Sequence, residues 1–270
     1  MRSMLKSESP WDREDVCGEY GLGSIALYVG LLLEYRGVKL LVDAIYHTTD
    51  PFSNPPPAVW SAMLAGEPPF DGVDTLLFTH DHPDHFSPER LMQYLRYRTV
   101  RQVVLPVMEP QHWEILQPFL EERRIQWTLL TARMQTADFQ IPGGTVIRPY
   151  FTRHIDKAFW NVPHSCYVIS FGEKHVLLTA DVDYTIETFE QISRVYINAA
   201  FVNPLFFNAL QTGTFFEGTL QPDLLCVYHI PFQEDDRWQI RSMLSHNLHR
   251  WNQEQGKVAI LSEPYQYVEF

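Results

Sequence analysis

The sequence predicts one large α/β domain, and three observations carry that expectation. A chain of 270 residues with 45% apolar and 20% charged side chains has the composition of a globular protein with a sizeable core. Two apolar runs joined by a short Gly-containing turn open it as a β-hairpin. From residue 74 onward strand-like runs alternate with helix-like ones, the pattern of an α/β protein with sizeable sheets.

Residues 1–16 are polar and charged and read as a leader, leaving residues 17–270 as the domain. SIALYVGLLLEY, from Ser24, is strand-like; Arg36-Gly37 turn the chain and VKLLVD returns. A long loop follows from Ala44 to about Val73, with prolines at 51, 55, 56, 57, 68 and 69. Loops of that length inside a domain are usually functional, and AVWSAMLAG in its middle reads as a short helix. DTLLFT (74–79) is a buried strand. Ser87-Pro88 then mark a helix start, with serine as N-cap and proline at the first helical position. Strands are expected at 101–106, 126–130, 145–151, 166–171, 174–180, 199–203, 223–228 and 257–262. Helices are expected at 109–123, 184–194 and 233–248.

Composition narrows the function. Lys+Arg 21 against Asp+Glu 33 gives a net charge of -12, which argues against a nucleic-acid partner, since phosphate neutralisation needs a basic surface. The longest apolar run, Ile25 to Leu33, falls far short of the roughly 20 residues that span a bilayer, so no membrane association is expected. The N-terminus lacks an apolar signal-peptide core. Cys17, Cys166 and Cys226 are odd in number and widely spaced, as reduced thiols of a cytoplasmic protein would be.

Three of the 11 histidines, His80, His82 and His85, fall in Thr79-His80-Asp81-His82-Pro83-Asp84-His85, directly after the strand DTLLFT. Imidazoles and carboxylates are the ligands zinc and similar cations accept. In a tight turn at a strand end, alternate side chains converge from one loop onto two adjacent ions. Chance would produce HxHxDH in about one in a thousand sequences of this histidine content.

This motif resembles the signature of the metallo-β-lactamase superfamily, and the likeness extends from about Gly21 to Ser262. It implies a four-layer αβ/βα sandwich, two mixed sheets flanked by helices. Further motifs follow in order. Asp43, closing KLLVDA, would orient ligands rather than bind metal. The third-motif histidine is His154 in VIRPYFTRH, with His164 as rival; the spacing to Asp181 (181−154=27 against 181−164=17) favours His154. Asp181 in KHVLLTADVD matches the bridging aspartate, although Ala180 stands where the family usually has glycine. Asp183 is its rival and reads better as a helix cap. His229 in LLCVYHIPF completes the set.

By resemblance, one metal takes His80, His82 and His154; the other takes Asp84, His85 and His229, with Asp181 shared. The cofactor implied is a pair of divalent ions, zinc foremost, manganese or iron otherwise. The activity implied is hydrolysis of a small-molecule ester, lactone, thioester or phosphodiester by a metal-bridging hydroxide. Asp84 is placed to orient the nucleophile, and metal-bound water, His164 or His154 to protonate the leaving group. A looser likeness points to the intracellular lactonase-like branch, through the GS…LLLEYRGVKLLVDA opening and THDHPDH. Pocket walls are expected from Tyr46, His47, Phe52 and Trp60, from Arg153, Phe159 and Trp160, and from Phe206, Phe207, Phe215 and Phe216. Two other classes stay open: a mononuclear iron dioxygenase of the same fold, and a non-catalytic metal-binding regulatory protein.

Overall fold

A computed structural model describes residues 22–48, 54–131, 137–192, 194–208, 221–249 and 257–270. The expected leader, Cys17, Phe52, Phe215 and Phe216 lie outside the described residues.

The first half of the chain supplies β1 (Leu22–Leu27), β2 (Gly30–Tyr35), β3 (Val38–Val42), β4 (Thr75–Leu77), β5 (Gln102–Leu105) and β6 (Trp127–Leu129). The second supplies β7 (Phe139–Gln140), β8 (Val146–Thr152), β9 (His164–Phe171), β10 (Lys174–Leu178), β11 (Ala199–Val202), β12 (Leu224–Val227) and β13 (Lys257–Ile260). A last strand, β14 (Tyr267–Glu269), returns to the edge of the first sheet. Two seven-stranded mixed sheets result, ordered β14-β1-β2-β3-β4-β5-β6 and β13-β12-β11-β10-β9-β8-β7. In each, an antiparallel meander gives way to parallel strands, at β3 in one sheet and at β10 in the other.

Period-two alternation decides which side chains face which layer. Leu31, Leu33, Leu40, Val42, Leu77 and Val104 meet Ile147, Tyr167, Ile169, Val176, Leu178 and Phe201 in the core between the sheets. The intervening Leu32, Leu41, Leu76 and Val103 face outward under helices α1 (Pro57–Ala65), α2 (Pro88–Tyr97) and α3 (Pro110–Glu122). On the other side Val168, Leu177, Ala200 and Leu225 pack under α4 (Ile186–Glu190) and α5 (Ile240–Leu248). The order of layers is helix, sheet, sheet, helix, as the resemblance implies.

Ser87 caps α2 as expected, its hydroxyl accepting the Arg90 amide. Three expectations need correction. The run SIALYVGLLLEY is two strands, because Tyr28 adopts φ 78 and turns the chain before Gly30; an apolar turn buried in the protein carries none of the usual polar punctuation. Gly30 is required there, since a Cβ would meet Ala44 at 2.5 Å. The helix expected at 233–248 begins only at Ile240, where Gln239 takes φ 55 and Asp236 accepts the Ile240 and Arg241 amides. β7 and β14 were not anticipated, both being too short to show a pattern.

Among the described residues no helix is long and apolar enough to cross a membrane.

Candidate metal centre

The candidate ligands lie where the strands of both sheets end. The turn after β4 carries His80, His82, Asp84 and His85; the ends of β8, β10 and β12 bring His154, Asp181 and His229. Backbone bonds stitch these loops together. Ser165 N donates to Thr79 O at 3.1 Å, joining the two sheets beside the site. Ile155 N donates to Asp181 O at 2.7 Å and Asp183 N to Arg153 O at 2.8 Å, locking the His154 loop to the Asp181 loop.

Two sets of donors form. His80, His82 and His154 make one; Asp84, His85, Asp181 and His229 make the other; within each set the ligand atoms lie within 4.8 Å of one another. Asp181 reaches toward both: its Oδ2 is 3.2 Å from His85 Nε2, 3.6 Å from His154 Nε2 and 4.0 Å from His80 Nε2. Its Oδ1 lies 3.7 Å from His229 Nε2 and accepts from Asn203 Nδ2 at 3.0 Å. Asp84 Oδ2 sits 3.7 Å from His229 Nε2 and 3.9 Å from His85 Nε2.

Asp43 organises the centre without entering it. Thr79 donates to it through both its amide (2.8 Å) and its hydroxyl (2.6 Å), and His85 Nδ1 donates at 2.9 Å. Because the Thr79 proton goes to Asp43, its oxygen accepts from His80 Nδ1 at 3.0 Å. Both rings therefore donate through Nδ1 and turn Nε2 inward, the orientation a metal requires. His80 Nε2 faces His82 Nδ1 at 3.1 Å, and His85 Nε2 faces His229 Nε2 at 3.2 Å. His154 Nε2 is buried without a partner among the described residues. Converging imidazole nitrogens, buried Nε2 atoms of His82 and His154 without a hydrogen-bond partner, and two buried carboxylates are a donor set that fits a pair of divalent cations. His154 Nδ1 accepts the Asp156 amide at 3.0 Å, so its neutral ring holds the proton on Nε2, which a bound cation would replace.

The electrostatics agree. Burial lowers His80 well below the ordinary imidazole range, reinforced by His85 and His164; His82 is lowered by burial and His154. Burial opposes charging His85 as well, but the Asp181 and Asp84 carboxylates outweigh it and hold that ring well above 6.5. Asp181 is the counterpart: burial alone would raise it, yet His229 and His85 keep it well below 3.8. Without a cation, the positive charge these carboxylates call for falls to His85.

His164 corrects the expectation of a leaving-group acid. It is completely buried, its Nε2 accepts the Asp181 amide at 3.1 Å, and its Nδ1 bonds the Thr152 hydroxyl at 2.7 Å. Burial lowers it to about 3. Both its nitrogens are committed within the fold, and Nε2 holds the Asp181 backbone in place.

The expected pocket residues divide. Phe159, exposed, lies edge-on to His82 (ring centroids 4.7 Å apart) and His154 (5.3 Å), with Trp160 beside it. Arg153 stacks on Trp160 at 4.6 Å and pairs with Asp183 at 2.9 Å, so its charge is answered within the chain. It also lines a cavity of about 590 Å³ between β8 and α4 that none of the seven candidate ligands borders. Of the others, Trp60, His47 and Phe206 have their partners elsewhere in the fold. Trp60 packs on the outer core under Arg90, His47 bonds Asn54, and Phe206 is buried against Tyr184. Sequence reasoning did not single out Thr79, Asn203 or Tyr28. Tyr28 lies against His229 (ring centroids 5.7 Å) and its carbonyl accepts the His229 amide. Only Thr79 had a signal, its place at the head of the histidine motif.

Four of the backbones in left-handed conformation cluster here: Tyr28 (φ 78), Asp43 (φ 46), Ala180 (φ 46) and His229 (φ 58). Non-glycine residues persist in that region where surrounding structure over-determines them. At Ala180 this is a conformation that glycine adopts without strain.

No protein-family model matches the chain, and no curated protein matches its sequence. Solved structures do. The metallo-β-lactamase fold protein YhfI from Bacillus subtilis superposes with a TM-score of 0.62 at 17% identity, covering 93% of this chain and 100% of that one. Igni18, a metallo hydrolase from Ignicoccus hospitalis, gives 0.59 at 15% identity, covering 93% and 98%. CmlA, a diiron β-hydroxylase from Streptomyces venezuelae, gives 0.56 at 15% identity, covering 94% of this chain but 54% of that one. At such identities the likeness defines the architecture: the chain has the metallo-β-lactamase fold.

Proposed function

We propose that the protein is a metal-dependent hydrolase that holds two divalent cations and cleaves a small ester, lactone, thioester or phosphodiester. The observation that carries this reading is the completeness of the donor set: seven side chains from four loops gather into two groups with Asp181 between them. His80, His82 and His154 would hold one cation, Asp84, His85 and His229 the other, with Asp181 shared. Zinc suits three neutral imidazoles beside a carboxylate-containing set. Bound cations supply Lewis acidity, acidifying a water and polarising a carbonyl or phosphoryl oxygen.

The chain's own groups do the rest. Asp43 fixes the tautomers of His80, through Thr79, and of His85. Asn203 and His164 hold the Asp181 carboxylate and backbone. Asp84, nine-tenths buried beside His229, is positioned to orient the attacking water and take its proton.

A second reading follows from the likeness to CmlA, which is described as a diiron β-hydroxylase: the same donors loaded with iron would serve oxygen-dependent chemistry. Two assembled sets speak against a mononuclear dioxygenase. A panel of lactones, thioesters, aryl esters and bis-aryl phosphodiesters, offered to zinc- and manganese-loaded protein, tests the hydrolase reading. Turnover abolished by a chelator and restored by metal is expected. No turnover across the panel, with oxygen uptake by the iron-loaded protein, would replace it with the oxidative reading.

A further inference from the structure

We propose that Phe159 and Trp160 form a ledge at the mouth of the metal centre that receives an aromatic ring carried next to the substrate's scissile bond. The proposal deepens the hydrolase reading by naming a substrate class, and it rests on that reading.

Of the seven candidate ligands only His82 and His229 are not buried, so the centre opens over these two. The two ends of this opening are built differently. At the His229 end, Tyr28 covers the histidine and Phe232 covers Tyr28 at 5.0 Å; both are buried, so that wall is already packed. At the His82 end the wall is Phe159, and it is 43% exposed. Its ring stands edge-on to His82 (75°) and His154 (78°), so its apolar surface extends outward from two ligand rings. Trp160, 42% exposed, continues the surface.

The segment is held rather than loose. Asp156 accepts the Ala158 amide through its side chain and donates its own amide to His154, while the Arg153 guanidinium backs the Trp160 ring. Two large aromatic side chains held beside candidate metal ligands present apolar area that an aromatic group of a substrate would cover. The ring contact at 4.7 Å from His82 sets the range: a group on the ledge sits about one ring's width from donors to the metal. An arene suits it better than an alkyl chain, because offset or edge-to-face contact with Phe159 and Trp160 adds to the burial of area.

Calorimetric titration of zinc-loaded protein with phenylphosphonate and with methylphosphonate tests this directly. Both present the same anionic group to the cations and differ only in the arene. Phenylphosphonate is expected to bind about tenfold more tightly, with most of that preference lost in Phe159→Ala, partly kept in Phe159→Leu and reduced in Trp160→Ala. Elemental analysis should show unchanged zinc in each variant. Equal affinity of the two phosphonates, no binding of either, or a preference that survives Phe159→Ala would overturn the proposal. The hydrolase reading fails separately: a phenyl preference with no turnover of any ester leaves the ledge standing and removes the activity.

Discussion

The two halves of the molecule repeat one topology and use it differently. Asp43 follows β3 and donates its amide to Leu77 O; at the matching place in the second sheet Thr179 follows β10 and donates its amide to Phe201 O. In the first half the carboxylate stands at that position, 1% exposed, with its oxygens taken by Thr79 and His85. In the second the chain runs two residues further before placing Asp181, which faces both donor sets. One aspartate holds candidate ligands in place and the other is itself a candidate, and two residues of offset separate their positions. The halves also differ in economy: the first gives four donors from one turn, the second three from three loops.

The most damaging change to this arrangement is Asp181→Ala. It strips the carboxylate that reaches toward both sets, and elemental analysis should show most of the metal gone, with activity down at least about a hundredfold. If both metals stay bound, Asp181 is not the shared group. Asp43→Asn probes the other aspartate. Loss of the acceptor for His85 Nδ1 should weaken metal binding about 10–100-fold, measured by competition with a chromophoric chelator. Unchanged affinity would reduce Asp43 to a strand-end residue.

His154 and His164 sharpen the second half. His154→Ala should lose one equivalent of metal. His164→Gln should keep its metal but melt lower, by about 1–3 kcal/mol, as a fully buried hydrogen-bonding group is disturbed. The reverse pattern would exchange their roles.

Metal-free protein offers a pH test. His80, His82 and His164 have lowered values, so their stabilising contribution is lost as pH falls below 6.5. His85 is raised, so its contribution is present below 6.5 and lost as pH rises through its folded value. Thermal stability should peak near pH 6.5 and fall on both sides, with a further loss below pH 3.8 as Asp181 protonates. Metal-loaded protein should lose the alkaline decline, since the cation replaces the proton. The smallest expected effect is that of Ala180→Gly. Relief of left-handed strain, about 1–2 kcal/mol, is offset by backbone entropy of about 0.5–1 kcal/mol, leaving the melting temperature nearly unchanged.

The same contrast governs what could be read from the sequence. HDHPDH is legible because its donors are contiguous and follow a buried strand. His154, Asp181 and His229 are legible only through their order along a resembled family, since nothing local distinguishes them from other strand-end residues. Neither reading could assign His164, whose part depends on the Asp181 amide 17 positions away meeting its Nε2. Trp60 and Phe206 were expected at the pocket for their size alone; apolar bulk gives no direction, and the sheets bury both elsewhere. The strand break at Tyr28 was hidden because a buried turn can be as apolar as the strands it joins.

The central claim, two cations held by seven side chains with Asp181 between them, is tested most directly by metal content per chain in protein purified without added metal. Elemental mass spectrometry should return two divalent ions per chain, zinc or manganese. One iron per chain would contradict it and leave half of the assembled donor set without a purpose.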